Sequence, residues 1–176
     1  ALNRDLWLIC LSNVIAAFGE GLYFWFFPLY ARSLQASPVE VGTVLSFLWG
    51  ASAVTPIIGG VIADRYDRKK IIVFGWALWV FTPLSYSLAI FWPQLVPGAI
   101  LWGSSMIAAP AINAYIVTAT EKKERVSSVL SFVWSAYSFG YIFAPAVSGY
   151  LVNAIGMRSV LYLATALSAV ATAIFL

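Results

Sequence analysis

Glu20 is the one acidic or basic side chain set well inside an apolar stretch of this chain. A carboxylate at such depth in hydrocarbon costs at least about 2.5 kcal/mol, so it is a functional-site candidate by default. Asn13 lies seven residues earlier, two helical turns away on the same face, and Tyr23, Phe24 and Phe27 continue the stripe. A set of this kind binds a cation or a proton. The alternative is a protonated or paired carboxyl that orients helices, or one that reaches the outer interface. Further along, Trp102, Met106 and Asn113 share a rough face at helical spacing. Asn113 can hydrogen-bond a solute, or equally a backbone carbonyl near Pro110. Trp134, Tyr137 and Tyr141 make a weaker stripe, of a kind that membrane helices more often use for packing or an interfacial belt.

A second constellation needs a helix end. Asp64 closes an apolar run, where the helix macrodipole disfavours an anion by roughly 0.3–1 kcal/mol. It calls for a cation or a donor from another helix end, and Arg68, four residues on, is placed to pair with it across the turn.

The elements that hold these groups follow from composition. Apolar residues make up 62% of the 176 and charged residues 10%, with a mean hydropathy of +0.89. That leaves too little polar surface for water, so the solvent is mostly lipid. In lipid the backbone must satisfy its own hydrogen bonds, and uninterrupted apolar runs of this length, without alternation, exclude a barrel in favour of helices. The sequence predicts an all-α integral membrane protein, a single bundle over 1–176. Six spans are drawn, at about Leu6–Ala31, Pro38–Ala63, Ile71–Phe91, Gln94–Ala119, Ser127–Val152 and Met157–Leu176. Each is long enough to cross about 30 Å of hydrocarbon, and the short connections make neighbours antiparallel. Small residues at four-residue spacing, Gly42, Ser46 and Gly50, then Ser127, Ser131 and Ser135, mark faces for close helix contact.

Arg4, Arg65, Arg68, Lys69, Lys70, Lys122, Lys123 and Arg125 fall on one side of the bundle, and only Arg32 and Arg158 on the other. The basic side is expected to be cytoplasmic, with both termini inside a multi-pass cell-membrane protein. The net charge of +3 then reflects topology rather than a nucleic-acid partner. The chain begins at Ala1 rather than Met and ends in an apolar run at Leu176, so both ends read as trimmed. Cys10 stands alone and permits no intrachain disulfide. With no histidine, no nucleophile–base pair and no cluster of metal ligands, neither an enzyme nor a cofactor is expected.

The second and fifth spans resemble each other. Pro145 follows Pro56 by 89 residues, and Gly149 follows Gly60, Asn153 follows Asp64, Gly156 follows Asp67 and Arg158 follows Lys69 at the same interval. One copy ends inside and the other outside, which predicts a 3+3 inverted repeat, about 6–91 and 94–176, an architecture of many secondary transporters.

The loop Gly60, Asp64, Arg65, Asp67, Arg68, Lys69, Lys70 closely resembles the signature between the second and third helices of the major facilitator superfamily. That signature is Gly, three residues, Asp, Arg or Lys, one residue, Gly, then two basic residues. Asp67 replaces the usual Gly, where it can pair with Arg68 or Lys69 or weaken the turn. Gly140, Ala144, Pro145, Ser148 and Gly149 resemble a Gly-x-x-x-Gly-Pro-x-x-Gly-Gly segment best known in proton-coupled exporters of that family. Pro145 is expected to kink its helix and Gly140 and Gly149 to permit close packing. Many proton-coupled members carry an Arg four residues before a Gly in the fourth span; with Gly103 as that Gly, the Arg position is Ala99 here.

The resemblance implies the amino-terminal six-helix half of a secondary transporter that moves a small solute by alternating access, with proton coupling and export as open options. Gly60, Asp64, Arg65, Arg68 and Lys69 would form a gating latch against a helix amino terminus of the other half. Glu20, Asn13, Tyr23, Trp102 and Asn113 would face solute or protons. The second half would be either a carboxyl-terminal continuation or a second copy of this chain in a homodimer. The competing expectation is a non-transporting membrane module acting in assembly or ligand sensing.

Overall fold

The computed structural model describes residues 4–176, so the first three residues of the expected 1–176 unit lie outside the described residues. The described residues form helices joined by short turns: α1 Arg4–Phe24, α2 Phe27–Ser33, α3 Pro38–Ala63, α4 Arg68–Ser87, α5 Leu95–Ser105, α6 Ala108–Ala119, α7 Val126–Ile155 and α8 Met157–Phe175. Short 3-10 turns at Trp92–Gln94 and Lys123–Arg125 precede α5 and α7.

Two expected spans are broken, and proline chemistry explains both. The first span divides into α1 and α2 at Trp25 and Phe26. Pro28 has no N–H for the carbonyl of Phe24, and its ring crowds that carbonyl. The fourth divides into α5 and α6 at Met106 and Ile107, where Pro110 stands in the same relation to Met106. Pro56, Pro83 and Pro145 sit inside α3, α4 and α7 without ending them.

The ends are capped by side chains. Ser37 and Glu40 form a reciprocal box at the start of α3, with Ser37 N–H donating to Glu40 Oε2 at 2.7 Å. Asp67 caps α4 by accepting the Lys69 N–H at 2.8 Å. The residue that departs from the family signature therefore neither salt-bridges Arg68 or Lys69 nor weakens the turn; it starts the next helix. Gly156, at φ +79°, turns the chain from α7 into α8, a conformation that glycine adopts freely.

Among the described residues five segments are long and apolar enough to cross a membrane: Arg4–Phe24, Pro38–Ala63, Trp92–Ala119, Lys123–Ile155 and Met157–Phe175. The third expected span, Ile71–Phe91, corresponds to α4, which is not among them; it opens on Arg68, Lys69 and Lys70 and closes on a polar Ser-Tyr-Ser run. α1 packs on α7 and α8, α3 on α5 and α6, and α4 on α5, α6 and α8. Burial is uneven: 67% of an 18-residue apolar stretch of α1 is buried, against 11% of the matching stretches in the segments containing α3 and α7.

Candidate functional site

The α1–α7 crossing sets the geometry. A Cβ at Gly140 would run into the Val14 carbonyl, and one at Gly21 would meet Ala144 Cβ at 2.5 Å. The Ser148 hydroxyl donates to the Leu22 carbonyl across the same seam. Backbone thus lies on backbone, as small residues permit in lipid. Gly149 is different, since a Cβ there would reach only Phe26, at an ordinary 3.6 Å. On the other flank, a Cβ at Gly103 would strike the Leu48 carbonyl at 2.6 Å, which seats α5 against α3.

These contacts bring α1, α5 and α7 together around Glu20, which is 1% exposed. Trp102 Nε1–H donates to Glu20 Oε1 at 2.8 Å, and the Tyr137 hydroxyl donates to Oε2 at 2.8 Å. Both carboxyl oxygens are therefore engaged by neutral donors. The Trp102 ring stands 5.7 Å from Phe24 and 5.7 Å from Trp49. It is a wall shared by two cavities. One, about 210 Å³, is lined by Tyr23, Phe24, Trp25, Phe27, Trp49, Tyr86 and Trp102 among others. The other, about 260 Å³, is lined by Asn13, Trp76, Trp79, Ser105, Trp134 and Tyr137 as well as Trp102. Glu20 lines neither; it sits behind the wall and holds it. Among the described residues no Lys or Arg lines either cavity.

Of the residues expected to face solute, Asn13, Tyr23 and Trp102 border cavities, and Trp102 meets Glu20 directly. Asn113 is elsewhere: its Oδ1 accepts the Trp134 Nε1–H at 3.0 Å rather than bonding a backbone carbonyl near Pro110. Tyr137, read from sequence as a packing aromatic, is the second donor to Glu20. Trp76, Trp79 and Tyr86 were not singled out by sequence; their signal is a helical face of aromatics along α4. Trp79 Nε1 sits near the Tyr23 hydroxyl without a formed hydrogen bond.

The signature loop departs from its expected pairing. Among the described residues Asp64 and Arg68 form no ion pair; Arg68 Nη1 donates instead to the Ala114 carbonyl at 3.0 Å and Thr118 Oγ1 at 3.2 Å. Ala114 and Thr118 lie in the carboxyl-terminal half of α6, on the end whose dipole favours a cation. Asp64 caps the end of α3 and is exposed, as is Arg65. A Cβ at Gly60 would meet nothing within 4 Å. Lys69 Nζ lies 5.4 Å over the Phe175 ring. At the far end of α4, Arg158 Nη2 donates to the Ala89 carbonyl at 2.8 Å.

Residues 9–176 match the family described as the Major Facilitator Superfamily. The chain is 29% identical to "Multidrug resistance protein 2" of Bacillus subtilis, over 99% of this chain and 44% of that protein. It is 34% identical to "Probable anion transporter 4, chloroplastic" of Oryza sativa, over 72% of this chain and 22% of that protein. It is 26% identical to the "D-arabinitol transporter" of Klebsiella pneumoniae, over 94% of this chain and 42% of that protein. The chain thus spans less than half the length of these relatives. With the match running through almost all of α1 and on to residue 176, the chain belongs to the Major Facilitator Superfamily.

Proposed function

We propose that this chain is the amino-terminal six-span half of a secondary transporter, which moves a small solute across the cell membrane by rocking against a second half. The observation that carries this reading is the uncovered state of α3 and α7. Gly42, Ser46, Gly50, Ser127, Ser131 and Ser135 are all exposed, and a Cβ at Gly42 or Gly50 would meet nothing within 4 Å. Helix faces built for close contact, and left open while α1 is packed, are what a half-carrier presents to its partner. That partner is a carboxyl-terminal half or a second copy of this chain.

The 3+3 inverted repeat is part of the same reading, with α4 as its third span. Pro56 and Pro145 occupy the interiors of α3 and α7, and Asp67 and Gly156 begin α4 and α8. Lys69, at the start of α4, lies over Phe175 at the end of α8, while Arg158, at the start of α8, reaches Ala89 just beyond α4. Repeat-related cations thus hold the opposite ends of one antiparallel helix pair. Both termini are cytoplasmic in this arrangement, and Asp64 with Arg65 is free to meet the other half as a latch. Glu20 is the group through which a proton would couple.

The test is flux. The protein, reconstituted in proteoliposomes, takes up or extrudes solute under an imposed proton gradient, and native mass spectrometry in detergent reads a complex of two halves. A strict monomer with no flux, unaltered in ligand binding by Glu20→Gln, instead supports a non-transporting assembly or sensing module.

A further inference from the structure

We propose that the groove between α1 and α7 is a site for one anionic diacyl glycerophospholipid, with an acyl chain along its aromatic walls and the phosphate held by Arg4 and Arg125. The site depends on the membrane fold alone and not on the carrier reading.

Two adjoining hollows make the groove, about 590 Å³ and about 280 Å³, and they share Val14 of α1 and Phe139 of α7 as walls. Trp7, Leu11 and Phe18 continue the α1 wall, and Phe132 and Phe143 the α7 wall. Most of these rings are exposed, so the groove opens outward from the bundle. Among the described residues no charged side chain lines it. From Trp7 to Phe18, and from Phe132 to Phe143, each helix rises about 17 Å. One leaflet contributes about 15 Å of hydrocarbon, so the groove has the length of a lipid chain, whereas a partner helix needs the full thickness of about 30 Å. Bulky rings also hold a second backbone away, in contrast to the small residues of α3 at Gly42 and Gly50.

The charged end of the occupant follows from the two stripes. α1 and α7 run parallel: Trp7 meets Phe132 edge to face at 5.8 Å, and further along both helices Ser148 reaches Leu22. Arg4 stands three, seven and fourteen residues before Trp7, Leu11 and Phe18, on the same helical face. Arg125 stands seven and fourteen residues before Phe132 and Phe139. With Trp7 opposite Phe132, Arg125 lies about 6 Å further along the axis than Arg4, a separation that two long side chains close around one phosphate. Arg32, Arg68 and Arg158 each donate to a carbonyl. Arg4 and Arg125 are exposed, and among the described residues neither guanidinium has an acceptor. The acid beside Arg4, Asp5, is engaged instead by the Tyr115 hydroxyl at 2.6 Å. Glu124, beside Arg125, is exposed and makes no ion pair with it, and Lys122 and Lys123 precede it in the same turn. Two free guanidinium groups at the headgroup end of an apolar, leaflet-length groove match an anionic lipid and leave a zwitterionic one without its advantage.

The probes are palmitoyl-oleoyl phosphatidylglycerol and the phosphatidylcholine with the same chains, titrated against the purified protein in detergent by native mass spectrometry. One phosphatidylglycerol should bind at least about ten-fold more tightly than one phosphatidylcholine. Arg4→Gln combined with Arg125→Gln should bring the two lipids within about two-fold, while Lys70→Gln, a loss of charge on α4, should keep the preference. A phosphatidylglycerol with a diazirine in one acyl chain, photolysed at one equivalent, should label α1 between Trp7 and Phe18 and α7 between Phe132 and Phe143. In membranes, p-benzoylphenylalanine in place of Phe139 should capture lipid. Equal affinity for the two lipids, a preference that survives loss of both arginines, label spread over the other helices, or capture of a second protein chain at position 139 would each overturn the proposal. The lipid pair and the diazirine probe use the unaltered protein, so the outcome does not depend on a variant folding. Lipid discrimination without solute flux leaves this site standing and removes the carrier reading; flux without discrimination removes this site alone.

Discussion

Trp102 and Glu20, 82 residues apart in the chain, meet through a 2.8 Å hydrogen bond in the buried centre of the bundle. That bond joins α5 to α1, and the Tyr137 bond to the other carboxyl oxygen adds α7. Replacing Glu20 by Leu leaves an indole N–H and a phenol without partners, at a cost of about 1–3 kcal/mol for each buried group. Glu20→Gln retains one oxygen acceptor and a group that can donate to Tyr137, so its thermal midpoint in detergent is expected to lie well above that of Glu20→Leu. In proteoliposomes Glu20→Gln is expected to lose the response of flux to a pH gradient. A response equal to the parent's would remove Glu20 from proton coupling.

Gly140 and Gly149 are expected to separate sharply. A methyl at Gly140 drives into the Val14 carbonyl, against backbone that cannot give way. Gly140→Ala should cost about 1–3 kcal/mol, read as a loss of thermal stability in a fixed detergent. Gly149→Ala meets only the edge of Phe26 and should stay within about 0.5 kcal/mol of the parent.

Asp67 should behave as a helix cap. Asp67→Ala removes the acceptor for the Lys69 N–H and is expected to cost about 1 kcal/mol, whereas Asp67→Gly, the residue usual in the family, should cost roughly a few tenths of that. Equal losses in denaturant titrations would count against the cap.

Gly50→Leu is expected to leave the isolated bundle as stable as the parent, because a Cβ at Gly50 meets nothing within 4 Å and the exposed site leaves room beyond it. The same change should abolish assembly with a second half, seen as loss of the two-half mass. Retention of that mass would place the interface elsewhere.

Helix positions were largely legible in the sequence because hydrophobic length and loop charge are local properties. The expected bounds for α3 match Pro38–Ala63, and α8 ends one residue short of expectation. The interruptions after Phe24 and Ser105 were not read, although Pro28 and Pro110 are visible: Pro56 and Pro145 sit in similar surroundings without ending their helices. Local spacing does not decide which proline breaks a span. Partner choice was harder still. Arg68 had an acid four residues away and took a carbonyl 46 residues away instead, because the arrangement of α4 beside α6 decides which acceptor is within reach. Glu20 was conspicuous as a buried acid, but its donors come from two other helices. Spacing within α1 could not reveal that both oxygens would be taken.

The seam glycines and the cavity walls are separate sets of residues. Gly21 and Gly140 set the frame by having no side chain, and neither borders the two Trp102 cavities, whose shape comes from large rings. On the proposed carrier reading, lineages descended from such a bundle would trade one aromatic for another and shift their diet of solutes without reopening the question of how the helices meet. In directed evolution, the productive library randomises the rings and leaves the glycines untouched.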